Sequence, residues 1–408
     1  MKPIRSRWVT SALSFVALAA PDFVTAQSLK RWAKPDASGT AWAVKIDDGA
    51  LAFTSMLLPW DKAGMIRGDA RMQVVQTFAN VEKTLAAVGS SKADVARLYV
   101  YVSNDNVSAE VDAYLAKAFS AHPPAVTLMR TPLPPGAAVG VEAIAAVKHD
   151  GGAVRRLSVA GLPPPSLGPH LAVMPKGQKL FFSGQIEPRN FVRKPEDPGA
   201  GFRETLANLG RGLEHYRLGK SAVVQIKAFV WPYTDRPALE AEIARFFSGG
   251  PIPPLVVAQG RAVPSAEIEF TIAGKEIPVS PGPIAYGPLP GEPGSPRYSA
   301  ACVVDAGVPL IFIAGLHGET AGGTCRDEVR EIFARLAAIL FETGGSFRHL
   351  VKSIGHYQDP EGQRALRDIR GVYYDPARPP TSSVFQTAGV GRAGKTITKD
   401  MIAVPAPE

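Results

Sequence analysis

Val74-Val75-Gln76-Thr77-Phe78-Ala79-Asn80-Val81, Phe202-Arg203-Glu204-Thr205-Leu206-Ala207-Asn208-Leu209 and Val329-Arg330-Glu331-Ile332-Phe333-Ala334-Arg335-Leu336 are three versions of one segment. Apolar residues fall at Val74, Phe78, Val81 and Leu85, at Phe202, Leu206, Leu209 and Leu213, and at Val329, Phe333, Leu336 and Leu340. The 4-3-4 spacing predicts one face of an amphipathic helix. The segment recurs after 128 and then 127 residues, so the chain is a threefold internal repeat.

The flanking sequence repeats as well. Asp94 to Val102, Ala222 to Val230 and His349 to Tyr357 are expected as strands after each helix. A second, short helix follows, with Val111, Leu115 and Phe119, then Leu239, Ile243 and Phe247, then Leu366, Ile369 and Val372 on its apolar face. Val141 to Val147, Glu267 to Ala273 and Lys399 to Val404 close each copy as strands. Each copy opens with an expected hairpin whose second strand ends near Thr54-Ser55, Ser183-Gly184 or Ala314-Gly315. The order is β-β-α-β-α-β-β, an α+β unit of about 110 residues. The copies are expected at 38–150, 167–277 and 296–408. Linkers are expected at 151–166, with Pro163-Pro164-Pro165, and at 278–295, whose Pro/Gly content is expected to keep it out of any sheet.

Composition narrows the function classes. The 408 residues are 46% hydrophobic and 20% charged, as in a globular protein with a core. The net charge of +8 is spread without a basic block or a basic–aromatic stripe, so nucleic acid is not an expected partner. Lys2, Arg5 and Arg7, the apolar run Trp8 to Ala20 and Val24-Thr25-Ala26 have the form of a signal peptide over residues 1–26. The run is too short to span a bilayer. A periplasmic or secreted protein, off the membrane after cleavage, is expected, and N-terminal sequencing of exported protein should begin at Gln27. A mature chain starting at Met1 would overturn this. Two cysteines exclude a Cys-rich metal site, and Cys302 and Cys325 are left as either a pair or free thiols. The seven histidines show no paired metal spacing, and no P-loop, Gly-x-Ser-x-Gly or GxGxxG motif is present.

The repeat resembles the RidA/YjgF family of reactive-imine deaminases. The second copy carries Gly168-Pro169-His170, Ser183-Gly184-Gln185-Ile186 and Glu267-Ile268-Glu269. The first adds Gln73 to Asn80, Ala86 to Val95, Pro123-Pro124-Ala125 and Glu142-Ala143-Ile144-Ala145, and the third Pro296-Arg297-Tyr298-Ser299. Members of the family are single units that assemble as trimers. The resemblance therefore implies a chorismate mutase-like fold, with three tandem units forming an intramolecular pseudo-trimer that is monomeric as a chain. It also implies small-ligand clefts between units, and no metal or cofactor.

The resemblance implies an arginine that grips a substrate carboxylate and a glutamate that holds the attacking water. The arginine position falls at Val126, at or beside Val256, and at Ser382. Loss of that planar fork is expected to weaken a simple 2-imino acid. Arg130, Arg261 and Arg378 lie near it in sequence. The water-holding position is Gly140, Glu267 and Thr398, and Glu267 alone keeps a carboxylate. The second acids, Glu142, Glu269 and Asp400, are expected on the opposite face of the strand. The aromatic wall falls at Trp42, His170 and Tyr298, with Gly184 and Gly315 as further pocket positions. His170 and Glu267 form an acid/base pair if one cleft holds both. Two readings follow: a hydrolase for a small imine or enamine, or a binding protein that keeps the clefts without turnover.

Overall fold

The computed structural model describes residues 27–148, 152–188, 191–262, 265–278, 282–291, 295–319 and 323–407. The expected signal segment lies outside the described residues. One element order occurs three times. The first unit is β1 (Leu29–Ala33), β2 (Ala41–Ile46), β3 (Leu51–Thr54), α1 (Ala70–Ala86), β4 (Val95–Val102), α2 (Asp105–Ala118), β5 (Ala125–Arg130) and β6 (Val139–Ala146). The second is β7 (Arg155–Leu157), β8 (Leu171–Met174), β9 (Lys179–Phe182), α3 (Gly199–His215), β10 (Val223–Val230), α4 (Arg236–Phe246), β11 (Leu255–Gln259) and β12 (Ala266–Ala273). The third is β13 (Ile284–Gly287), β14 (Ala301–Val304), β15 (Leu310–Leu316), α5 (Cys325–Glu342), β16 (Leu350–Tyr357), α6 (Pro360–Tyr373), β17 (Thr381–Gln386) and β18 (Ile397–Ala403).

The helices sit where the periodicity puts them. All twelve residues of the 4-3-4 pattern are buried, and each set packs on the sheet of its own unit. Side chains fix the starts of α1 and α5: Asp69 accepts from the Met72 amide at 2.9 Å, and Thr324 and Asp327 cap each other reciprocally. Val372 departs from expectation, at 82% exposed. It lies six residues past Leu366, off the face that Ala365, Leu366 and Ile369 bury.

The two strands that precede the first helix of each unit, β2 and β3, β8 and β9, β14 and β15, are not paired with each other. β3 pairs antiparallel with β8, β9 with β14, and β15 with β2. The registers correspond: Leu51 faces Met174, Lys179 faces Val304, and Leu310 faces Ile46. Each unit thus lends its second strand, β8, β14 or β2, to the sheet of the unit before it, and the third closes on the first. The expected hairpins are corrected to inter-unit junctions. An apolar strand finds the same ladder partners on a neighbouring sheet as in its own hairpin, so sequence patterning does not choose between them. The linkers are corrected as well. Arg155–Leu157 pairs with β8, and Ile284–Gly287, a proline-free window between Pro283 and Pro288, pairs with β14. Proline excludes itself from a ladder but not the residues around it.

The three units share one core. Phe53, Met174, Phe181, Val304, Phe312 and Ile402, drawn from all three, lie in a single buried cluster. The turns between the opening strands meet at one end of it, where Asp48 accepts from Lys179 Nζ at 2.5 Å and from the Gly307 amide at 2.7 Å.

Buried ion pairs tie the same joints. Arg97 on β4 meets Asp400 on β18, Lys227 on β10 meets Glu142 on β6 at 2.8 Å, and Lys352 on β16 meets Glu269 on β12 at 2.9 Å. Each pair crosses from one unit to the preceding one. Tyr99 adds a hydroxyl to Asp400 at 2.8 Å, Tyr101 one to Glu142 at 3.0 Å, and Ser383 one to Glu269 at 2.7 Å. The second acids of the closing strands are therefore the axial pins of the ring. They share a face with Glu267 and its equivalents, not the opposite face, because a separation of two residues preserves the side in a pleated strand.

Candidate active site

The junction between the second and third units holds the one acid among the water-holding positions. Glu267 stands on β12, 5% exposed. Its carboxyl lies over Gly184, just past the end of β9, where a β-carbon would stand 1.9 Å from Glu267 Oε1. Glycine is required there for close approach, not for an unusual φ. The third unit supplies the far wall. Ser382 accepts from the Gly184 amide through its carbonyl at 3.2 Å, and its own amide donates to Ser183 Oγ at 2.8 Å. Burial pushes the Glu267 carboxyl up to about 8, with Glu269 adding to the rise. Hydrogen bonds from Ser383 and the Val384 amide, and the charge of Lys352, oppose it. Glu267 is therefore mainly protonated at neutral pH. Tyr357, which the sequence reading missed, stands nearby. Burial and then Glu267 raise its phenol to about 12, and Arg261 opposes them.

The other two junctions are not equivalent. At the first, Met56 occupies the position of Gly184, and its Cγ lies 2.9 Å from where a β-carbon of Gly140 would be. The methionine fills the volume that the glutamate takes at the second–third junction. The cleft left there, about 240 Å³, is lined by Met56, Leu58, Trp60, Leu255 and Val257. At the third–first junction, Thr398 and Thr127 crowd Gly315, each with its Cγ2 3.0 Å from a β-carbon placed there. Thr398 Oγ1 is 2.8 Å from His317 Nδ1.

The remaining sequence candidates fall as follows. His170 does not meet Glu267. Its Nδ1 accepts from the Val159 amide at 3.0 Å, and its Nε2 lies 2.8 Å from the Pro163 carbonyl oxygen. It anchors the 151–166 segment at the first–second junction, because β8 pairs with the first unit. Trp42 lies between two cations, Lys34 Nζ and the Arg335 guanidinium, each 4.5 Å from its ring. Tyr298 lines a separate cavity of about 230 Å³ with Tyr286, Ser299 and Pro376. The strand register puts Ala300, not Tyr298, at the place of Trp42 and His170. Val126 and Ser382 face Leu98 and Ser353, and the matching residue in the second unit is Leu255, opposite Ile226. Val256 is one place on, 0% exposed in the cluster shared between units. Arg261 is exposed over Trp231, Arg378 lies 5.8 Å from the Tyr286 ring, and Arg130 is 3.9 Å from Asp105. Of the three, Arg261 alone reaches the electrostatic surroundings of Glu267, through Tyr357. Cys302 and Cys325 are free thiols.

Among solved structures, a YjgF-family member from Neisseria meningitidis is 22% identical, over 31% of this chain and 97% of its own, with a TM-score of 0.23. The YjgF gene product of E. coli is 29% identical, over 25% of this chain and 84% of its own, with a TM-score of 0.23. TdcF of E. coli, solved with bound serine, is 26% identical, over 25% and 84%, also with a TM-score of 0.23. No curated protein matches. Residues 33–147 match the family model described as Endoribonuclease L-PSP. The first unit belongs to the RidA/YjgF family. This RidA/YjgF unit is the one with Val126 and Gly140 at the arginine and glutamate positions, whereas the acid stands in the second unit.

Proposed function

We propose that the chain is an exported RidA-like protein whose cleft between the second and third units hydrolyses a small imine or enamine to a carbonyl compound and ammonia. Glu267 carries the reading, as the one acid among the three equivalent positions, buried where Gly184 leaves it room. In its protonated form it donates to the imine nitrogen, which makes the adjacent carbon electrophilic. The carboxylate so formed takes a proton from the attacking water. Glu267, protonated again by that step, gives its proton to the amino nitrogen and takes the hydroxyl proton as the C–N bond breaks, so that ammonia leaves and the water oxygen becomes the carbonyl oxygen. With no arginine at Val126, Leu255 or Ser382, a substrate lacking a free carboxylate suits the cleft best.

The test is ammonia release from neutral imines generated in situ. The rate should hold from about pH 6 to 7 and fall as Glu267 loses its proton near 8. A rate that climbs through the same range would sink this order of proton transfers. Binding without turnover is the second reading, and the Met56 filling at Gly140 favours it for the first–second junction. A ligand that raises the melting temperature with no ammonia release would select it.

The whole chain is proposed to be monomeric, because the three junctions use each unit's opening strands within one molecule. Light scattering should give the mass of one chain, and a stable trimer of chains would contradict the arrangement.

A further inference from the structure

In the third unit a buried lysine and a half-buried arginine lie together without an acid among the described residues. Lys399 is 1% exposed, and its Nζ is 2.6 Å from Ser353 Oγ. Arg370, on α6, has a buried Nε with no hydrogen-bond partner. Among the described residues neither forms an ion pair, and the one charged group that perturbs Lys399 is Arg370, another cation. Burial, with Arg370 adding, brings the Lys399 ammonium down to about 7. Uncompensated buried charge is costly, and folded proteins pair it or neutralise it. Hydroxyls gather at the same place. Tyr374 hydrogen-bonds Ser353 and adjoins Arg370. Ser382 faces Ser353 across the parallel β16–β17 ladder, and its Oγ is buried without a partner. Neighbours in register share a sheet face. The Ser382 amide donates to Ser183 Oγ, which donates to the carbonyl of Ser299, a residue lining the 230 Å³ cavity with Tyr298.

We propose that the third unit binds a small oxyanion, a phosphate or a carboxylate, between Arg370, Lys399 and the hydroxyls of Ser353 and Ser382, reached from the cavity lined by Tyr298 and Ser299. The anion supplies the missing counter-charge. It accepts from the orphaned Arg370 Nε and from the Ser382 hydroxyl, and it holds Lys399 protonated. The site is independent of the Glu267 chemistry, since Glu267 does not act on Lys399.

The experiment is calorimetric titration of the full chain at constant ionic strength in chloride, with inorganic phosphate in one arm and acetate in the other. One saturable site per chain is expected, with proton uptake on binding at pH 8 as Lys399 recharges. Arg370→Gln and Lys399→Met should each weaken binding at least about tenfold, the loss of one charge-assisted bond. Glu267→Gln should bind unchanged, which separates this site from the proposed hydrolysis. Phosphate binding alone marks a phosphate ligand, acetate binding alone a carboxylate, and binding of both a site that takes either oxyanion. If Arg370→Gln does not fold, Lys399→Met, which removes a buried charge, decides by itself. No saturable binding of either anion at millimolar concentration, or equal affinity in the variants, overturns the proposal.

Discussion

Glu267→Gln is expected to lower ammonia release by roughly 10²–10⁴-fold, the usual contribution of a positioned proton-transfer group. The melting temperature should move little below pH 8. There the native carboxyl is mainly neutral, and a carboxamide keeps its shape and most of its hydrogen bonds. Gly184→Ala should reproduce the loss by another route, because the new β-carbon meets Oε1 at 1.9 Å and the carboxyl must turn away. The competing role for Glu267 is a structural acid. In that case Glu267→Gln would lower the melting temperature, and turnover per folded molecule would hold. Unchanged turnover and unchanged melting together would remove Glu267 from the site.

The largest stability effect is expected at the joint between the third and first units. Arg97→Met leaves Asp400, 1% exposed, with only the Tyr99 hydroxyl for a partner. Breaking one side of a buried pair costs about 3–5 kcal/mol, mostly the penalty of the stranded charge. Urea unfolding should show this as a lower midpoint. Adding Asp400→Leu should return most of the loss, because the pair as a whole repays little more than its own desolvation. A single variant as stable as the parent would show that Asp400 takes up a proton or another partner at no cost.

What was legible in the sequence follows from period. The 4-3-4 stripes of α1, α3 and α5 and the apolar runs of β4, β10 and β16 are local patterns, and the fold keeps them. The exchange of opening strands was not legible. Leu51 to Thr54 carries the same alternation whether its partner is β2 or β8, and only three-dimensional closure selects β8. The second acids were misplaced by an error of parity, since Glu267 and Glu269 share a face. A signal for their partners was present: Arg97 and Lys227 are lone cations between apolar strand residues and Lys352 lies between Val351 and Ser353, and each had to find an acid. His170 was read by its family position, but a ring with both nitrogens bonded to a connecting segment belongs to the scaffold. In β11 the position read as at or beside Val256 is Leu255, a one-residue choice that ungapped repeat counting leaves open.

The exchange of Met56 against Gly140 has a consequence for stoichiometry. In an assembly of three identical subunits, a methionine at that place would be present at every junction and would erase every site together. Fusion into one chain confines it to one. A slow, tight inhibitor directed at Glu267 should therefore titrate this protein at one equivalent per polypeptide, where a symmetric trimer takes three per assembly. A partial inhibition curve would then report damaged molecules and never negative cooperativity among sites.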